Sequence, residues 1–220
     1  RPPRSTLFPY PTLFRSRIEK SGNSRNPVRR AELVGMSFCW EPLHAYYLPV
    51  SSDAHSGEGI PLKKVLACLK PVLENARHQK IGQNIKYDWM VMKRNDVELK
   101  GVLFDTMIAS YLINPLKRNH NLDDIALEYL GIKKITTESL LGTGKNQRTM
   151  AEVPLEQIAE YAAEDADCVF RLWPLLSEKL KDLGLTKLFD DVEMPLAGVL
   201  AKMEMNGVSL DTAFLGELSK

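Results

Sequence analysis

Two pairs of side chains in this 220-residue chain have a spacing from which metal or proton chemistry can be built. Asn84 and Asp88 stand four apart, so a helical turn would stack amide and carboxylate on one face. Tyr161 and Asp165 repeat that interval, and the small Ala162 and Ala163 between them let such a helix approach a sheet or a ligand closely. A carboxylate binds a hard cation such as Mg²⁺, and a neighbouring phenol can orient the water that the cation acidifies. Each pair also has a plainer use. An Asn–Asp pair caps a helix or faces solvent, Tyr161 fits a half-buried core position, and Glu164, Asp165 and Asp167 fit a solvated acidic face. The four histidines (44, 55, 78 and 120) lack ligand spacing and read as surface or structural. Gly142-Thr-Gly-Lys145 is no phosphate loop, because Ser139 and Asn146 stand where Gly and Ser/Thr are required. No Ser–His–Asp or Cys–His nucleophile is visible.

The elements that must carry these residues follow from hydrophobic period and punctuation. Residues 33–40 and 45–50 are apolar runs parted by Glu41-Pro42, as in a strand hairpin, with a loop over 51–59. Pro61 opens a helix to about Asn75, with Leu62, Val65, Leu66, Leu69 and Leu73 on one face. A short strand at 80–82 leads into a helix over 85–95, which places Asn84 and Asp88 directly after a strand end, a common location for α/β sites. A strand at 102–104 runs into a helix over 105–113. A further helix over 121–129 stops at Gly131. After a polar loop at 141–150, a long amphipathic helix over 154–183 carries Tyr161 and Asp165, with a break expected near Trp173-Pro174. Another helix covers 186–205 before the Asn206-Gly207 turn. Strands followed by mixed strand–helix units predict an α/β layer fold.

Composition narrows the function classes. With 44% hydrophobic and 26% charged residues the chain can build a core, and no apolar run is long enough for a membrane helix. Three scattered cysteines make neither a disulfide framework nor a zinc site, so a cytoplasmic setting is expected. The net charge of +1 conceals +7 in residues 1–30 against −6 in the rest. A body of that sign must meet nucleic acid locally, with metal ions offsetting its carboxylates. Residues 1–16 repeat Thr-Leu-Phe and are broken by prolines 2, 3, 9 and 11; the string resembles a translated adapter or cloning scar. Residues 1–30 are therefore expected to be a non-native or disordered basic leader.

From Ala31 onward the chain resembles the proofreading 3′–5′ exonuclease domain of the bacterial DNA polymerase I family (family A). The likeness rests on Ala-Glu-Leu-Val-Gly-Met-Ser-Phe at 31–38, Gly-Gln-Asn-Ile-Lys-Tyr-Asp at 82–88, Phe-Asp-Thr-Met at 104–107, Gly-Lys-Asn-Gln at 144–147 and Tyr-Ala-Ala-Glu-Asp-Ala-Asp at 161–167. It implies a ribonuclease H-like fold, a mixed sheet flanked by helices, with 31–183 as the exonuclease domain. Residues 184–220 are similar to the entry of a polymerase domain. It also implies two divalent ions, Mg²⁺ or Mn²⁺, ~4 Å apart, with Asp88 and Asp165 as metal-holding acids and Tyr161 orienting the attacking water. Gln83 and Asn84 are implied contacts to the terminal nucleotide. The implied partners are a single-stranded DNA 3′ end and a polymerase domain in cis, with a monomeric chain and no membrane.

The family's first motif, Asp-x-Glu at the end of the first strand, has no match: residues 17–24 read Arg-Ile-Glu-Lys-Ser-Gly-Asn-Ser. Two of four acids are missing, so weak metal binding, impaired hydrolysis and loss of the first strand are expected. Two alternatives stand beside this reading. One is an exonuclease-like scaffold without activity. The other is an RNase D-like exonuclease acting on RNA, which residues 184–210 disfavour because they resemble a polymerase lead-in.

Overall fold

The computed structural model describes residues 12–20, 31–51, 59–143, 148 and 150–219, with the backbone only for 12–20, 31, 32 and 151. A six-stranded sheet forms its centre. Strands β1 (Thr12–Lys20), β2 (Ala31–Glu41), β3 (His44–Ser51), β4 (Ile60–Pro61), β5 (Lys80–Gly82) and β6 (Val102–Asp105) lie in the order β4-β3-β2-β1-β5-β6. β1 runs antiparallel to β2, from Leu13 opposite Cys39 to Lys20 opposite Ala31, and parallel to β5, with Leu13 opposite Ile81.

A strand thus stands at residues 12–20, where the sequence predicted a non-native or disordered leader and a sheet without its native first strand; the expected disorder is corrected there. The leader supplies a strand in the middle of the sheet. Its sequence, Thr-Leu-Phe-Arg-Ser-Arg-Ile-Glu-Lys, gives little local strand signal because charged residues interrupt it. Pairing on both edges decides its conformation, as tertiary context commonly overrides strand propensity. Residues 1–11 and 21–30 lie outside the described residues.

Alternation along β2 divides the core. Met36 and Phe38 join Val65 and Leu73 of α1 (Leu62–Leu73) and Val91 and Met92 of α2 (Ile85–Arg94). Cys39 points the other way, into a second cluster with Ile81 and Phe104. That cluster is completed by α3 (Thr106–Ile113), α4 (Leu122–Leu130) and α6 (Leu155–Asp182), while α5 (Thr137–Leu141) precedes α6. The sheet is thus covered on both faces, and α6 packs across β1, β2, β3 and β5.

The helix α6 runs unbroken through Pro174, contrary to the expected break. Buried Leu172 and Leu176 on either side of the proline are anchored in the core. Their burial offsets the missing hydrogen bond. Beyond Gly184, α7 (Thr186–Leu188) passes through a π-turn, Phe189–Glu193, into α8 (Met194–Asn206), and α9 (Thr212–Leu218) follows. Gly198 of α8 lies against Trp89 of α2, where a Cβ would fall 2.5 Å from the indole. Lys86 and Glu204 add an ion pair between the same two helices.

Lys80 begins β5 with its side chain buried, donating to the carbonyls of Asn75 at 2.9 Å and Lys100 at 2.7 Å. Burial depresses its pKa from 10.5 to about 8. Between those values the unfolded chain holds a proton that the folded chain has released, so stability gained through Lys80 rises with pH across this window. The native chain should therefore gain unfolding free energy relative to Lys80→Met between pH 8 and 10. Parallel urea midpoints for the two chains would contradict this.

Candidate functional site

Two buried polar clusters stand out among the described residues, the first of them at the end of β5. The first is organised by Asp105, the last residue of β6 and fully buried. One carboxyl oxygen accepts from Asn84 N at 3.0 Å and Met107 N at 2.8 Å; the other accepts from Ile85 N at 2.8 Å. Asp105 thereby caps α3 and also pins the start of α2, where Asn84 turns the chain at φ 56°. Asn and Asp are the residue types that tolerate this left-handed conformation best after glycine. Four residues on, Asp88 is buried in α2, which packs against β1.

Gln83 belongs to the same cluster. Its amide nitrogen donates to the His120 carbonyl at 2.8 Å, and its amide oxygen accepts a short hydrogen bond from the Thr106 hydroxyl. The structure thus places both polar ends of Gln83 in internal bonds. The His120 ring pairs with Ser110 Oγ at 2.9 Å, in keeping with a structural histidine.

The second cluster surrounds Asp165 on α6. Its Oδ1 pairs closely with the ammonium of Lys134, whose side chain is wholly buried in the connection between α4 and α5. Asp123 Oδ1 and Glu164 Oε2 approach the same ammonium at 3.4 and 3.8 Å. Burial works against the charged lysine, but the negative charge of Asp165 and its hydrogen bond outweigh it and raise the pKa. Glu164 also accepts from Ile135 N at 2.8 Å, which fixes the backbone beside Lys134. One helical turn before Asp165, Tyr161 is buried, with its hydroxyl 2.7 Å from Thr137 Oγ1 and its ring 5.4 Å from the Lys134 ammonium.

The structure therefore brings Tyr161 and Asp165 together on one face of α6, as their spacing requires, and places Asp88 on α2. Both helices pack on β1. Sequence reasoning passed over Lys134, which lies outside every motif and shows no spacing to an acid along the chain. It also missed the bonds through which Asp105 organises the β5–α2 turn. The motif at 144–147 lies outside the described residues. Cys39 and Cys168 are buried, and burial pushes their thiols up to about 11 and about 12, which makes them poor nucleophiles.

Asp88 and Asp165 are oxygen donors of the type Mg²⁺ takes. As arranged, they do not fit a two-ion site. Asp165 already holds an ammonium, and no three His, Cys, Asp or Glu side chains converge suitably for a metal among the described residues. None of the described helices is long and apolar enough to cross a membrane.

Comparison with known proteins gives these clusters a family. The chain is 39% identical over 200 residues to DNA polymerase I of Pseudomonas aeruginosa, covering 88% of this chain and 22% of that protein. It is 37% identical over 208 residues to DNA polymerase I of Rhizobium leguminosarum, covering 86% and 20%. It thus spans about a fifth of these relatives' length.

Among solved structures, Brucella melitensis NrnC matches with a TM-score of 0.67 at 20% identity, over 89% of this chain and 85% of that one. The polymerase domain of Pol1 from M. smegmatis, in complex with DNA primer-template and dNTP, matches at 0.66 and 21%, over 86% and 28%. Escherichia coli RNase D, an exoribonuclease, matches at 0.64 and 19%, over 89% and 46%. At such identities these neighbours show the fold alone, the ribonuclease H-like arrangement expected from the sequence. The 3′–5′ exonuclease model of the type A DNA polymerases covers residues 23–181, and the chain belongs to that family.

Proposed function

We propose that this chain is a 3′-end DNA exonuclease module of the polymerase I type in which hydrolysis is weak or silent. The observation that carries the reading is the burial of Asp88, Tyr161 and Asp165 on two helices that both pack on β1. Near the C-terminal end of that strand stands Arg17-Ile18-Glu19, in the region where the family's Asp-x-Glu is expected. Asp88, Tyr161 and Asp165 are assigned to the hydrolytic site. Of the two implied contacts to a terminal nucleotide, Asn84 is assigned that role, because it is half-buried while Gln83 is buried with both polar ends bonded internally. The substrate is a single-stranded DNA 3′ end, with Mg²⁺ or Mn²⁺ bound weakly.

Residues 184–220 form the lead-in to a polymerase domain in cis. Exposed apolar side chains on this segment, including Val199, Met203, Leu210 and Phe214, support that assignment. The ion pair between Lys134 and Asp165 favours a second reading, an exonuclease-like scaffold without activity.

Release of nucleoside monophosphates from the 3′ end of labelled single-stranded DNA, in Mg²⁺ or Mn²⁺, tests both. The chain should release little or no more than its Asp165→Ala variant. Activity well above that control, and not raised further by restoring the first motif, would refute the impairment. Arg17→Asp creates Asp-x-Glu at 17–19; activity gained there, alone or with Lys134→Met, identifies a proofreading domain lacking its first motif. Silence in both favours the scaffold.

A further inference from the structure

The ammonium of Lys134 is a cation that the exonuclease reading does not require. It is fully buried, and three carboxylates from two helices aim oxygens at it: Asp123 from α4 and Glu164 and Asp165 from α6. Asp165 is itself buried, so its charge cannot be balanced by bulk solvent. A buried carboxylate must be paired or lose its charge, and here a side chain of the same polypeptide provides a partner.

We propose that Lys134 acts as the built-in counter-cation of Asp165, standing where a divalent ion would approach that carboxylate, so that residue 134 sets the metal affinity of this chain. The inference rests on the reading of Asp165 as a metal-facing acid. A metal ion reaching Asp165 must displace the ammonium or share the carboxylate with it. Sharing places a double positive charge within a few ångströms of a single one, in a region where screening is poor. Displacement leaves the ammonium buried without its closest partner. Either way the ion binds more weakly than at a carboxylate without a resident cation. Lys134 is a positioning residue in this account, since it acts through Asp165 and touches no substrate.

Mn²⁺ titration of the 220-residue chain without DNA, read by electron paramagnetic resonance, tests the assignment. Lys134→Met keeps the length of the side chain and removes its charge, and should bind Mn²⁺ at least ~10-fold more tightly than the unsubstituted chain, a change of about 1.4 kcal/mol. The gain should vanish in Lys134→Met/Asp165→Asn and be absent from Lys134→Arg, which keeps a cation. If Lys134→Met is unfolded without metal, Mn²⁺-dependent recovery of its circular dichroism reads the same affinity.

Equal Mn²⁺ affinity in the unsubstituted and Lys134→Met chains overturns the proposal, as does a gain that survives Asp165→Asn. The exonuclease reading fails separately. A Mn²⁺ site that opens in Lys134→Met while Arg17→Asp/Lys134→Met releases no nucleotide leaves the Lys134 assignment standing and sinks that reading. Asp165-dependent Mn²⁺ binding of equal strength with and without Lys134, accompanied by nucleotide release, does the reverse.

Discussion

Replacing Asp105 by alanine should lower the unfolding free energy by about 3 kcal/mol or more. The carboxyl group accepts from three backbone N–H groups, those of Asn84, Ile85 and Met107, in a fully buried position. Alanine leaves these donors to find other partners, and each buried orphan costs roughly 1–3 kcal/mol. It also removes the cap of α3, typically worth about 1 kcal/mol. Those contributions are not additive, so the loss falls below their sum. Asp105→Asn keeps one accepting oxygen and should cost less. The same substitution loosens the left-handed turn at Asn84 that sets the entry of α2, and so the position of Asp88. Urea unfolding followed by circular dichroism measures the change. A loss below about 1 kcal/mol would mean that water satisfies those N–H groups and that Asp105 does not hold the turn.

The second large effect is a coupling. Lys134→Met alone should destabilise the metal-free chain by about 3 kcal/mol, because breaking a buried pair leaves a carboxylate uncompensated. Asp165→Asn alone should also be costly, as the ammonium loses its closest partner. Together they should cost much less than their sum, since neither buried charge of the pair then faces the other's absence. The double-mutant cycle isolates that term. Additive losses would show that the two side chains do not act as a unit. Asp123 and Glu164 lie within 4 Å of the ammonium, and once it is gone their repulsion of Asp165 worsens the single lysine substitution.

The elements from β2 through α4 were legible because their signals are local. Apolar runs parted by Glu41-Pro42 marked β2 and β3, Pro61 marked the start of α1, and Gly131, at φ 68°, ended α4. The four-residue interval of Tyr161 with Asp165 gave the face they share on α6, whereas Asn84 turns at φ 56° before α2 begins, so its expected helical stacking with Asp88 does not hold. What could not be read depends on partners distant in sequence. β1 is a strand because β2 and β5 pair with it, while its own residues include three charged side chains among the last four. Pro174 looked like a helix break, yet neighbours buried in the core hold α6 together. Lys134 meets Asp165 across 31 residues and a chain reversal, and nothing in its local sequence marks it. Asp105 reaches back 21 residues to Asn84 in the same way.

The central place of β1 has a consequence for association between chains. It is the one strand joining the β4-β3-β2 side of the sheet, which holds the antiparallel β2-β3 hairpin, to the parallel β5-β6 side. Were it withdrawn, β2 and β5 would each present a row of unpaired backbone donors and acceptors to solvent. Open edges of that kind recruit strands from other molecules. The amino-terminal strand therefore acts as a seal between two surfaces that would otherwise be adhesive. The weakness of its own sequence signal means that solubility of the whole chain depends on a segment with little intrinsic reason to stay in place.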